Sequence, residues 1–142
     1  MKLFRLAAVA CLLLSSSLVL AETVMFRAML NVASEVPPKT GNGTGYLEAS
    51  FDTNAKLLKY QINYGGLSGP AIAAHFHGPA PAGSNAGVQV PIQASALASP
   101  IKGQAVLTDD QARDLMAGNW YFNVHTAQNP GGEIRGQLTK AP

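Results

Sequence analysis

NWYFNVHTAQNPGGEIRGQLT, residues 119–139, holds two short alternating runs separated by the turn-forming AQNPG. Side chains alternate across a strand, so Trp120, Phe122 and Val124 share one face while Tyr121, Asn123 and His125 share the other. The large apolar residues claim the interior. Core must then meet core across the turn, which pairs Val124 with Ile134 in an antiparallel register. The same register sets His125 opposite Glu133, Asn123 opposite Arg135 and Tyr121 opposite Gln137.

Working outward, the pattern repeats upstream. In TVMFRAMLNV, Val24, Phe26, Ala28 and Leu30 take one face, and Met25, Arg27, Met29 and Asn31 the other. GYLEASFD buries Leu47, Ala49 and Phe51. After the polar turn DTNAK, LLKYQINY buries Leu58, Tyr60, Ile62 and Tyr64, so these two runs form a hairpin. AIAAHFHG, VQVPIQ and IKGQAVL supply further strands; Ile72, Ala74 and Phe76 are expected inside, and Pro91 belongs at a sheet edge. EVPPKTGNGTG reads as a loop.

One segment departs from this period. In TDDQARDLMAGN, Thr108 and Gln111 form a capping box, Asp109 and Asp110 sit at the positive end of a helix, and Gly118 suits its end. A short helix near 109–117 follows. The fold class is therefore all-β: an antiparallel Greek-key β-sandwich or barrel of seven or eight strands with one short helix.

The chain opens with a basic Met1-Lys2-Leu3-Phe4-Arg5 and the apolar run LAAVACLLLSSSLVLA, the layout of a secretory signal peptide cut after Ala21. A membrane helix needs about 20 apolar residues, and the serine-rich centre and Glu22 argue against one. Few apolar residues precede Cys11 and the apolar run continues past it, so it belongs to the leader rather than to a lipid anchor. Domain organisation is then signal peptide 1–21 and a single domain over 22–142, exported to the periplasm or beyond the cell. Losing Lys2 and Arg5 leaves eight basic side chains against eight acidic, so no basic surface invites nucleic acid, and no membrane contact is expected after cleavage. Without cysteine, the domain has neither disulfide nor thiolate ligand, and depends on core packing.

The three histidines of the chain, His75, His77 and His125, all fall on faces turned from the core. Two imidazoles at i and i+2 on one strand can reach one ion, and a third from another strand completes three nitrogen donors with a coordination position open. Imidazole suits copper and zinc. Glu133, Arg135 and Asn123 are the candidates to stand behind these ligands, a carboxylate being a common partner for the ring nitrogen that holds no metal. The bland alternative is that the histidines are polar surface or hold loop backbone.

EVPP at 35–38, GLSGP at 66–70, AAHFHGPAPAG at 73–83 and NVHTAQNPGGEIRGQL at 123–138 together resemble the chordin-type (CHRD) domain over residues 24–138. The resemblance implies an extracellular setting, of the kind found in secreted bacterial proteins and in chordin, which binds other extracellular proteins. A more limited similarity to the copper-zinc superoxide dismutase sandwich touches His75-Phe76-His77 and Val124-His125. The chain offers no further histidine for that enzyme's bridging ligand, no zinc-binding histidine cluster and no cysteine pair.

Other signals are weaker. Met25 and Met29 flank Arg27 on one face, and thioethers bind cuprous copper, but methionine is more often packing. Helix capping accounts for Asp109, Asp110 and Asp114. Ser68 and Ser84 have no base nearby in sequence, and GNGTG and NPGG read as turns. The loop HGPAPAGSNAG is long for a strand connection and starts at His77, which makes it a wall or lid for whatever the histidines hold. Three functions are in play: a metal-binding or metal-buffering protein without turnover, taking copper first and zinc second; an extracellular module binding a protein or glycan without metal; and a reduced dismutase-like redox enzyme.

Overall fold

The computed structural model describes residues 22–142. Nine strands form one antiparallel system: β1 (Thr23–Asn31), β2 (Thr44–Asp52), β3 (Leu57–Gly65), β4 (Ala71–His77), β5 (Val88–Pro91), β6 (Ile101–Val106), β7 (Tyr121–Thr126), β8 (Ile134–Gln137) and β9 (Thr139–Lys140). They run in the order β5-β4-β7-β8-β1-β2-β3-β6, with β9 on β1, and the sheet curls until it nearly closes into a barrel. The expected signal peptide and Cys11 lie outside the described residues.

The hairpin β2–β3 forms because its turn satisfies itself: Asp52 Oδ1 accepts from the backbone N–H groups of Asn54 and Ala55 at 2.9 and 2.8 Å. Strands β3 and β4 are consecutive yet not neighbours, since β3 pairs with β6 and β4 with β7. Their side chains nevertheless meet, with the rings of Tyr60 and Phe76 edge-to-face at 5.0 Å, which is what two walls around one core require. Phe26, Leu47, Phe51, Phe76, Trp120, Phe122 and Ile134 fill that core and are almost fully buried. Each such side chain contributes about 1.5–3 kcal/mol by leaving water.

The helix α1 (Asp109–Met116) carries the expected capping box, with Thr108 Oγ1 accepting from Gln111 N and the Gln111 side chain accepting from Thr108 N. Gly118 follows its end at φ +79°, the left-handed conformation that suits glycine. Leu115 anchors α1 in the core.

The register inferred from the sequence is observed: Tyr121 pairs with Gln137, Asn123 with Arg135 and Val124 with Ile134. Pro91 sits in β5 at the end of the sheet path, where its missing N–H costs no ladder bond. Two expectations are corrected. Ile72 is 52% exposed rather than part of the core, because the β4–β7 register shifts between Ala71 and Ala73 and the bulged residue is re-aimed outward. Tyr60 and Tyr64 pack against the core only partly buried, and Tyr64 keeps its hydroxyl on the Leu97 carbonyl at 2.5 Å.

Candidate metal centre

Strand pleating does for the histidines what the sequence implied. His75 and His77 project from the outer face of β4, and His125 from that of the adjacent β7, where Asn123 pairs directly with His75. One ring nitrogen from each histidine lies within 4.8 Å of the others. His75 Nδ1 and His125 Nε2 are 3.0 Å apart. Nitrogens sharing an ion about 2.0–2.1 Å from each stand roughly 3–4 Å from one another, so small side-chain rotations complete the approach.

The outer face is, however, not open to solvent. All six residues of β7 are buried, and His77 and His125 are each only 8% exposed. Loop 78–87 covers them and is pinned from beneath. Arg135, itself 2% exposed, donates through Nη1 to Asn85 Oδ1 at 2.9 Å and through Nη2 to the Ser84 carbonyl at 2.5 Å. Asn85 in turn donates to the Val36 carbonyl, tying this loop to the segment that follows β1. The His77 ring stacks on Tyr121, with centroids 4.8 Å apart and planes 4° from parallel. The Arg135 guanidinium carbon, arriving from β8 on the other side of β7, lies 3.4 Å from the centre of the same Tyr121 ring.

Backbone carbonyls settle which nitrogens carry protons. His77 Nδ1 lies 3.0 Å from the Ala86 carbonyl and His125 Nδ1 2.9 Å from the Pro130 carbonyl. A carbonyl only accepts, so each Nδ1 bears the hydrogen and each ring in its uncharged form presents its Nε2 lone pair inward. Both Nε2 atoms face Asn123 Oδ1, at 3.0 Å from His77 and 2.9 Å from His125. Burial, with repulsion from His125 and His77 added, pushes the His75 pKa down to about 4. Burial also lowers that of His77, against the opposing pull of its hydrogen bonds to Ala86 and Asn123. His75 is thus an uncharged donor at neutral pH.

Of the residues expected behind the ligands, Asn123 lies among the three rings and Arg135 acts through Tyr121 and loop 78–87. Glu133 lies outside the cluster. Its oxygens accept from Ser68 N at 2.7 Å, Ser68 Oγ and Thr126 Oγ1 at 2.5 Å each, and Asn129 Nδ2 at 3.1 Å. Burial would raise its pKa, but these hydrogen bonds outweigh that and hold it below the usual value. Glu133 therefore closes the β7–β8 turn onto the Ser68 loop. Met25 and Met29 are exposed on β1, away from this site, and Asp109, Asp110 and Asp114 belong to α1.

Sequence reasoning passed over Glu35. It is 3% exposed, its Oε1 has no hydrogen-bond partner, and burial raises its pKa despite opposing contributions from Val36 N, Asn123, Arg135 and His125. A cleft of about 420 Å³ opens beside it, between residues 33–38 and Ala82-Gly83. The bare Cα of Gly132 makes room for this arrangement: a Cβ there would fall 2.2 Å from Glu35 Oε1 and 2.8 Å from Asn123 Nδ2. The available signal was the lone acidic residue of the loop EVPPKTGNGTG.

Fold and site together define an all-β domain whose outer face encloses a cluster of three histidines. The CHRD-domain family model matches residues 26–138, and the chain belongs to that family. The CHRD domain is typical of extracellular proteins, and no helix among the described residues is long and apolar enough to cross a membrane. Comparison with curated proteins finds no match, and neither does comparison with solved structures.

Proposed function

We propose that the protein is exported by a leader over residues 1–21, as a bacterial secreted CHRD protein of the periplasm or cell exterior, and that its 22–142 domain binds a transition metal through His75, His77 and His125. Copper is the first choice and zinc the second, since both accept imidazole nitrogen. Binding, buffering or delivery is the role rather than turnover. The supporting observation is the pair of Nδ1–H bonds to the Ala86 and Pro130 carbonyls, which turn two Nε2 lone pairs towards the group that also holds His75 Nδ1. Such outer hydrogen bonds are how metal-binding histidines are oriented. Titration of the purified protein with copper and zinc tests the reading. Affinity should collapse in a His75→Ala, His125→Ala double variant, and an unchanged affinity would refute it. Elemental analysis of protein from its native compartment identifies the metal.

A second reading, an extracellular module for a protein or glycan partner, is favoured by the shallow groove on the open face of β1–β3, lined by Met29, Tyr46, Asn63 and Tyr64. Partner binding that survives chelators and loss of the histidines, and disappears on Tyr46→Ala, would select it. A dismutase-like activity has in its favour only the likeness of His75-Phe76-His77 and Val124-His125, and predicts superoxide consumption that depends on both metal and these rings.

A further inference from the structure

From the lone pairs around Asn123 we infer that its side-chain oxygen is a fourth metal donor, beside the three imidazoles, and that the buried Glu35 is the residue that turns this oxygen towards the ion. The inference rests on the three-histidine reading and extends it to an N₃O donor set.

With the Nδ1 hydrogens committed to Ala86 and Pro130, the Nε2 atoms of His77 and His125 are acceptors, and Asn123 Oδ1 within 3.0 Å of both is a third. His75 Nδ1, 3.0 Å from His125 Nε2, satisfies that lone pair when it carries the hydrogen, but His77 Nε2 and Asn123 Oδ1 have no hydrogen to offer each other and repel across 3.0 Å unless a cation lies between them. The amide could reverse the situation by turning its NH₂ towards the rings, because either orientation fills the same space. Glu35 decides between the two. Its carboxyl and Asn123 Nδ2 flank the side-chain-free Gly132. The unpartnered Glu35 Oε1 is an acceptor, so the NH₂ faces it and the oxygen is left towards the histidines. Glu35 Oε1 is otherwise without a hydrogen-bond partner.

The donor set has a chemical consequence. Three imidazoles leave an ion one position short of four, and a neutral amide oxygen supplies it without adding charge. Mixed nitrogen and oxygen donors in a tetragonal arrangement suit cupric copper, which also tolerates an amide or carbonyl oxygen as a weak, long ligand. Glu35 touches no metal in this scheme and is a positioning residue.

The test compares wild type with Asn123→Ala, Asn123→Asp and Glu35→Gln, using copper(II) competition titration and the electron paramagnetic resonance spectrum of the copper-loaded protein. Folding of each metal-free variant is checked by circular dichroism and thermal melting. Asn123→Ala should weaken copper binding at least tenfold and alter the spectrum. Asn123→Asp, which keeps an oxygen in place, should retain tight binding and a wild-type-like spectrum, and it carries the test if Asn123→Ala does not fold. Glu35→Gln lets the amide reverse, and should reproduce the spectral change of Asn123→Ala with a loss of about 10–100-fold, the usual cost of removing a group that orients a ligand. Wild-type affinity and spectra in both Asn123→Ala and Glu35→Gln would overturn the inference and leave the three-histidine site standing. Weakened binding with an unchanged spectrum would also overturn it, by assigning Asn123 to ring orientation alone. Failure of the wild type to bind copper or zinc would remove the three-histidine reading and this one together.

Discussion

The outer faces of two parts of the sheet obey the same alternation and end in opposite environments. On β1, the outward residues Met25 and Met29 are 47% and 68% exposed, as an uncovered face predicts. On β4 and β7, the outward residues His77, Asn123 and His125 are buried, as is Arg135 on β8. An open face tolerates apolar thioethers because nothing must be satisfied there. A covered face filled with polar groups is costly unless each finds a partner, so its hydrogen bonds define a site. Half-buried sheets normally solvate their second face; this one encloses it under loop 78–87 and residues 31–38.

The comparison can be broken hardest at Gly132. Its φ of +125° and the 2.2 Å approach of Glu35 to a would-be Cβ leave no room for a side chain. Gly132→Ala should destabilise the domain by about 3–4 kcal/mol, from backbone strain and overpacking together, readable as a shift in denaturant midpoint. A glycine substitution in the solvent-exposed loop around Gly87, where nothing crowds a Cβ, should be nearly silent by the same assay.

Next in size is Arg135→Met, which removes the guanidinium under Ser84, Asn85 and the Tyr121 ring. A loss of about 2–3 kcal/mol is expected for hydrogen bonds to a charged group. The distinguishing observation is local: amide exchange in residues 78–87 should accelerate far more than in β1–β3.

Acidification should separate the faces more gently. The unfolded chain takes up a proton on His75 near pH 6.5, whereas the folded protein resists it until about pH 4. Between those values the unfolded state binds more protons, so stability falls as pH falls through the window and is recovered on return to neutrality. Melting temperatures across that range should show the slope, which should flatten in His75→Ala. The smallest effect belongs to the open face: Met29→Ser should change stability by less than about 0.5 kcal/mol, and copper binding not at all.

Much of this was legible in the chain. Alternation placed Trp120, Phe122 and Val124 inside, core matching set the Val124–Ile134 register, and the capping box located α1 within one residue at its end. The same pleat rule brought the three imidazoles to a common face. Ile72 escaped the rule because a bulge depends on which strand lies alongside, and a single strand's pattern contains no record of an unpaired residue. Glu133 has the right register for His125, but its carboxylate finds four hydrogen bonds on Ser68, Thr126 and Asn129 instead. Register sets where a Cβ points, while the partners within reach set where a carboxylate ends.

The sequence by itself determined the all-β class, the pairing of the last strands and the gathering of His75, His77 and His125, because period-two alternation and hydrophobic matching act between residues close in the chain or facing across a hairpin. Only the tertiary structure decided that this face is covered, that Ala86 and Pro130 orient the rings, and that Glu35 lies behind Asn123. Those outcomes depend on how distant loops pack over a finished sheet, and no local periodicity encodes that packing.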